Sequence, residues 1–261
     1  MGAVKETEVL AGRRPVLEAL RGPRPVRRVL IAAGARGRVV EELAAAAAAR
    51  RVPVERASRD DLDRWAAGVD HQGVVALAAP LPLAEVDDLL DAARRRGEPP
   101  LLLVCAEIQD PQNLGSLIRS AEAAGFHGVI VPRHRSAGPT PAVARASAGA
   151  LEHLPLARVT NLSRCLDRLK EAGLWVCAAA GDAEQVYWDA SLTGPLALVV
   201  GSEGRGIPPL VRRHCDFAVR IPMRGRIQAL NAAVAGALIM FEIARQRALS
   251  AAGGTEGGGQ E

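Results

Sequence analysis

The order of apolar runs along the 261 residues predicts an α/β protein in two parts: a small N-terminal α/β domain and a larger domain with a mostly parallel sheet. Three features carry that expectation. Short leucine- and valine-rich runs alternate with Ala-rich or amphipathic stretches of helical length, the pattern of strands followed by crossover helices. A charged segment bracketed by Pro80, Pro82, Pro99 and Pro100 divides the chain into two such series, as a linker does. Hydrophobic residues make up 49% of the chain, enough to fill a core in each part.

In the first series the pattern predicts helices at 12–20, 38–50 and 60–66 and strands at 28–32, 52–55 and 74–78, which sets a domain at 1–79. His71-Gln72-Gly73 falls between a helix and a strand and reads as a turn. Basic residues outnumber acidic ones by 14 to 10 over positions 1–80, with Arg13, Arg14, Arg21, Arg24, Arg27 and Arg28 crowded near the start. A solvated face and a phosphate-contacting face both fit that cluster. Residues 80–99 read as a linker with a helix in it, holding five acidic residues against Arg94, Arg95 and Arg96.

From Leu101 the series runs strand 101–106, helix 113–124, strand 128–131, helix 140–147, strand 156–159, helix 161–171 and strand 174–179. Strand 196–200, a short helix from Pro208, strand 217–221 and a long helix 230–246 complete it. Repeated alternation of this kind predicts helices on both faces of a parallel sheet, and pattern alone predicts it doubly wound and unknotted. The Gly-rich end, 251–261, reads as a disordered tail.

Composition bounds the function. The formal net charge is +4, and 31 of the 33 basic residues are arginine because only Lys5 and Lys170 are lysines. The basic excess is compatible with RNA but does not require it. Cys105, Cys165, Cys177 and Cys215 form no Cys-x-x-Cys pair, and His71, His127, His134, His153 and His214 match no metal-ligand spacing, so no metal is expected. No apolar leader opens the sequence, and runs such as 232–241 fall short of the ~18 residues that suggest a membrane span. A cytoplasmic protein is the expectation.

The chemistry concentrates in three stretches. Gly201-Ser202-Glu203-Gly204-Arg205-Gly206 follows an apolar strand but is closed by Pro208 and Pro209, so it opens no long helix as a dinucleotide fingerprint must. No Gly-Lys-Ser/Thr follows either, which excludes a P-loop. The second stretch is Asp110-Pro111-Gln112-Asn113-Leu114-Gly115-Ser116-Leu117-Ile118-Arg119, and the third runs from Ile221-Pro222-Met223 to Leu230-Asn231. Together they resemble the signature motifs of the SpoU (TrmH-like) branch of the SPOUT RNA methyltransferases. The resemblance spans 99–248, and the residues before it resemble the substrate-binding domain of the RlmB-type ribosomal RNA ribose methyltransferases.

The resemblance implies an RNA substrate-binding domain at 1–79, a SPOUT α/β trefoil-knot methyltransferase domain at 100–250, S-adenosylmethionine as methyl donor, a homodimer, and transfer to a ribose 2′-hydroxyl. It implies that loops carrying Val200, Gly201, Ile221, Met223 and Leu230 hold the cofactor, and that Asn113, Arg119, Glu203 and Asn231 form the catalytic set. Asn113 is expected to cap or shape the entry to its helix and Arg119 to look into the site. A guanidinium stays protonated, so fixing a phosphate and stabilising alkoxide charge suit Arg119 better than acting as base. For Glu203, orienting Arg119 or the substrate and a structural loop role both remain open. Arg24, Arg27 and Arg28 are the expected RNA contacts. The resemblance points to a guanosine of 23S ribosomal RNA, with a tRNA substrate or a non-catalytic RNA-binding role as alternatives. Ala229 and Ala233 stand where relatives carry serines, a departure that removes two hydroxyls.

Overall fold

The computed structural model describes residues 7–253. The first unit contains β1 (Glu8–Ala11), α1 (Arg13–Arg21), β2 (Val26–Ala32), α2 (Arg38–Ala49), β3 (Val54–Ala57), α3 (Arg59–Ala66) and β4 (Val74–Ala78). Its sheet has the order β1-β4-β2-β3, with β1 and β2 antiparallel to β4 and β3 parallel to β2. Strand β1 is additional to the expected elements, because four residues beside charged neighbours carry too weak a period to stand out. It pairs with β4 from Glu8 opposite Ala78 to Ala11 opposite Val75. The turn at His71-Gln72-Gly73 is as expected: Gln72 and Gly73 both have positive φ, and Gly73 N donates to His71 Nδ1.

Residues 80–99 carry α4 (Val86–Arg96), and this helix is built into the second unit. Val86, Leu89 and Leu90 share a buried cluster with Leu102, Ile130 and Leu166, and Gly128 leaves room for the Leu89 side chain. Pairing of Glu85 with Asp88 in a capping box starts the helix, and Gly97 in a left-handed conformation ends it.

The second unit continues with β5 (Leu101–Ala106), α5 (Pro111–Ala123), β6 (Gly128–Pro132), α6 (Pro141–Ala146), β7 (Leu156–Val159), α7 (Leu162–Glu171), β8 (Trp175–Ala179), β9 (Gln185–Val186), β10 (Leu196–Gly201), α8 (Pro209–Arg212), β11 (Phe217–Arg220) and α9 (Ala232–Gly253). All pairings in its sheet, ordered β7-β6-β5-β10-β8-β11-β9, are parallel. The inner strands β5 and β10 are buried at every residue, as a sheet covered on both faces requires. Burial pushes the thiols of Cys105 and Cys177 up to about 12, so both act as small hydrophobes. Helix α9 runs on through Gly253, past the expected end at Gln246; positions 254–261 of the expected tail lie outside the described residues.

The two units are not loosely tethered. One buried cluster runs from Leu10, Leu17 and Val29 into Leu151, Leu154 and the α5 core. Arg24, expected on an RNA-facing surface, is instead 4% exposed and lies at this junction. It pairs with Glu8, donates Nη1 to Glu152 at 2.8 Å and donates Nε to the Ala79 carbonyl at 2.7 Å. A buried guanidinium persists only when its charge and donors are met, and here two carboxylates and a carbonyl meet them. Burial raises the Glu152 carboxyl, with Arg24 opposing the shift. Around this centre Arg145 binds Asp70 at 3.0 Å and His153 meets Glu18 at 2.9 Å.

Arg24→Ala should therefore lower unfolding free energy by about 3 kcal/mol, since it strands Glu152 in a buried site. Urea titration at neutral pH checks this against Arg27→Ala, expected within about 0.5 kcal/mol of the parent. Because Glu152 is already raised, the Arg24→Ala deficit should be full above its folded pKa and shrink as the carboxyl protonates on acidification. A deficit that grows at low pH would contradict the assignment.

Candidate active site

The parallel sheet ends its strands at one edge, where α/β proteins place ligands in the crevice beyond the carboxyl ends. β5 leads outward through β6 to β7 on one side, while β10 and β8 lie on the other, so the chain reverses direction between β5 and β10. Two cavities open there. The first, about 700 Å³ including space open to solvent, is lined by the ends of β8 (Ala179 to Gly181) and β10 (Val200, Gly201), by Ile221 and Met223 after β11, and by Leu230. It brings together all five residues expected to hold the cofactor. Its lining is mostly alanine, glycine and aliphatic side chains, with Glu203 as its titratable group. Such a surface suits a flat, partly apolar ligand read by backbone groups.

Gly201 has a reason to be glycine. A Cβ there would overlap the Gly206 carbonyl carbon, because residues 202 and 206 bond to each other in both directions, Gly206 N to Ser202 O at 2.8 Å and Ser202 N to Gly206 O at 3.1 Å. The glycine loop is thus folded back over the end of β10. Gly236, on α9, allows an equally close approach of that helix to Leu117 of α5.

The second cavity adjoins the first and is lined by Glu107, Gln109, Asp110, Asn113, Glu203 and Arg205, among others. Glu203 is the titratable side chain common to both linings. Its Oε1 accepts from Asn113 Nδ2 at 3.0 Å, from Asn231 Nδ2, and from Ala232 N at 3.3 Å. Asn231 Nδ2 also donates to Asn113 Oδ1 at 2.9 Å. The carboxylate stands at the N-terminus of α9, where the helix dipole favours negative charge. One side chain from each motif therefore meets at a single oxygen.

Capping is divided differently from expectation. Asp110 caps α5, accepting from Gln112 N and Asn113 N at 3.2 Å each, with Pro111 in the first turn. Asn113 is thus within the helix, free to turn its amide to Glu203. Asn231 caps α9, its Oδ1 accepting from Ala233 N at 3.0 Å and Val234 N at 3.2 Å. The Asp-Pro signal is present in the sequence, but three side chains of one motif compete for the same role.

Arg119 does not look into this site. Six residues at about 100° each turn it some 240° from Asn113, and it lines an exposed cleft with Arg14, Glu18, Glu122 and His153. Arg27 is exposed, while Arg28 lies over the Trp65 ring at 5.5 Å and meets Glu55 at 3.6 Å. Among the described residues no group of three or more His, Cys, Asp or Glu could hold a metal ion, and no helix is long and apolar enough to cross a membrane. The end of β8, Ala179 to Gly181, lines the first cavity although no motif marks it, since only pairing beside β10 brings it there.

Against known proteins, the profile of the SpoU rRNA methylase family matches residues 100–241. The chain belongs to this family. A second profile, RNA 2′-O ribose methyltransferase substrate binding, matches residues 9–84. The 23S rRNA (guanosine-2′-O-)-methyltransferase RlmB of Pseudomonas putida is 44% identical over 225 residues, covering 86% of this chain and 90% of its own. An uncharacterized tRNA/rRNA methyltransferase of Mycobacterium sp. strain KMS is 42% identical over 243 residues, covering 93% of this chain and 77% of its own. The SpoU methyltransferase AviRb from Streptomyces viridochromogenes, solved in complex with the cofactor AdoMet, superposes with a TM-score of 0.77 at 29% identity, over 93% of this chain and 91% of that one. Members of the family are S-adenosylmethionine-dependent RNA methyltransferases, and this chain is an enzyme of that class.

Gly201→Ala should displace the glycine loop. Calorimetric titration should show S-adenosylmethionine affinity reduced at least tenfold, with a stability loss of about 1–3 kcal/mol from overpacking. Unchanged affinity would mean that the loop does not shape the cavity.

Proposed function

We propose that the enzyme methylates the ribose 2′-hydroxyl of a guanosine in 23S ribosomal RNA, with S-adenosylmethionine in the cavity lined by Val200, Gly201, Ile221, Met223 and Leu230. The convergence of Asn113, Glu203 and Asn231 at the junction of the two cavities carries this reading. Bound there, the cofactor supplies an electrophilic methyl group on a sulfonium. The enzyme's own task is to hold the acceptor hydroxyl in near-attack geometry and direct its proton away. Asn113 and Asn231 form an amide pair that orients the ribose, and Glu203 locks that pair while presenting the carboxylate toward which the hydroxyl proton is directed. These steps draw on Asn113, Asn231 and Glu203 and use no hydroxyl at position 229, where Ala229 lines the cofactor cavity.

Ribosomal rather than transfer RNA is favoured by the substrate-binding unit at 9–84 and by the relative named for 23S rRNA. In this reading Arg27, exposed, contacts phosphates from that unit together with Arg28, which stands beside Glu55 and Trp65, whereas Arg24 is committed to the junction. The trefoil threading implied by the resemblance belongs to the same reading, supported by a cavity built from loops 179–181, 200–206 and 221–230. A cytoplasmic location fits four cysteines without a disulfide.

A homodimer would restore Arg119 to the chemistry, supplied by a second copy across α9. Helix α9 is apolar on two sides: Ile239, Met240 and Ile243 face the core, while Val234, Leu238 and Phe241 remain 41–52% exposed. Met240 is fully buried and belongs to the core. An apolar face of this kind on a terminal helix suits a partner helix. Sedimentation of the full chain should show a dimer at micromolar concentration, and Phe241→Arg should shift it to a folded monomer. A parent chain that sediments as a monomer would remove the basis for this role of Arg119.

Arg119→Ala should lower the single-turnover rate at saturating RNA by about 100-fold, the scale of losing one charge-stabilising group, and leave cofactor binding within twofold. Nucleotide-resolution mapping of 2′-O-methylation in total RNA from deletion and complemented strains tests the substrate. Loss of one guanosine mark in 23S rRNA is expected; loss of a tRNA mark instead, or of none, would overturn the assignment.

A further inference from the structure

The carboxyl edge that carries the active site continues past β5, and its far end holds a second feature that the reaction does not use. Beyond β6 and β7 lies a groove lined by Arg133, Arg158, Arg164 and Arg168 together with Glu85, Asp167 and Glu171. Charge pairing within it is lopsided. Arg168 is paired with Asp87, Glu85 is engaged in the capping box of α4, and Asp167 is held by His214 at 2.7 Å with Lys170 at 3.8 Å. Arg133, Arg158 and Arg164 have no carboxylate partner among the described residues, which leaves three guanidiniums against Glu171.

Two of those guanidiniums are pre-positioned by backbone. Arg133 Nε donates to the Arg158 carbonyl at 3.4 Å, and Arg158 Nη2 donates to the Arg133 carbonyl at 2.8 Å. Arg158 Nε is buried and has no acceptor among the described residues. Helix α7 adds to the same field: its N-terminus is capped by Asn161, with no acidic residue in the first turn, and opens beside Thr160 and Asn161. Positive helix dipole and three guanidiniums without a carboxylate partner among the described residues together fit a phosphate group.

We propose that this groove is a phosphodiester-binding site that holds the backbone of the substrate RNA beyond the nucleotide being methylated. The proposal rests on the RNA methyltransferase reading above. Geometry connects the two sites. The acceptor cavity lies at the ends of β5 and β10, and the groove opens at the ends of β6 and β7 and runs along α7, so both open on the carboxyl edge of one sheet. The division of charge follows the same line. Glu107, Asp110 and Glu203 outnumber Arg205 around the acceptor cavity, whereas the neighbouring groove supplies the positive charge that a polyanion needs.

The test uses the full chain, protein-free large-subunit rRNA from a strain lacking the methylation, and the double variant Arg133→Ala/Arg164→Ala. The slope of log affinity against log salt should fall by about 2, roughly one for each phosphate that is no longer neutralised. S-adenosylmethionine binding and the rate at saturating RNA should stay within twofold of the parent. Arg164→Glu should weaken RNA binding further than Arg164→Ala, and both variants should melt with the parent. Arg94→Ala/Arg95→Ala, at exposed positions near the end of α4, removes the same charge elsewhere and should leave the slope nearly unchanged. An unchanged slope in the groove variant, or an equal fall in the α4 variant, overturns the proposal. So does a variant that binds naked RNA normally yet no longer binds assembled large-subunit particles, because the groove would then meet a protein. If the parent chain methylates no RNA, the functional reading fails by that observation alone, while the salt slopes still decide whether the groove takes phosphate.

Discussion

A single carboxylate oxygen organises the catalytic edge. Glu203 Oε1 collects donors from Asn113 on α5, Asn231 at the start of α9 and the Ala232 amide, so the glycine loop and two helices are fixed relative to one another. That junction closes one side of the cavity beyond the ends of β8 and β10. The loop can reach it because Gly201 permits its close return over β10, and α9 can reach it because Gly236 lets the helix approach α5. A charge-assisted cluster at a helix N-terminus gains both from the dipole and from its hydrogen bonds, which suits a polar centre that must stay open to substrate.

A second polar centre, Arg24 with Glu8 and Glu152, does for the two units what Glu203 does for the motifs. It is nearly dry where Glu203 is exposed, and that difference separates their roles. A buried ion pair fixes geometry and cannot exchange partners with a ligand without a large desolvation cost. The substrate-binding unit is consequently presented at a set angle to the catalytic sheet, with α4 and the interdomain core adding apolar packing. The groove beyond β7, proposed above to take phosphodiesters, lies on the catalytic unit.

Much of the fold is legible in the sequence. Period and Pro and Gly punctuation locate strands β4 and β5 and most crossover helices, since strand and helix periods are local properties of side-chain direction. β1 and β9 escape because short edge strands carry little period of their own and owe their existence to a neighbour. The helix within 80–99 is expected, but its docking is not, because only the gap left by Gly128 shows where Leu89 goes.

The sequence by itself determined which residue types gather the chemistry: a glycine loop without a phosphate-binding helix, amides and a carboxylate in three motifs, and no metal-ligand spacing. Only the tertiary structure decided which of them meet. Asn113 and Arg119 share a helix, yet the helical turn sends one to Glu203 and the other to an exposed cleft. Arg24 and Arg27 stand three residues apart in one basic cluster, yet Arg24, just before β2, is buried against Glu152 at the junction of the two units while Arg27, within β2, is exposed. Spacing constrains direction along one element. Contact between elements depends on long-range packing that no local pattern encodes.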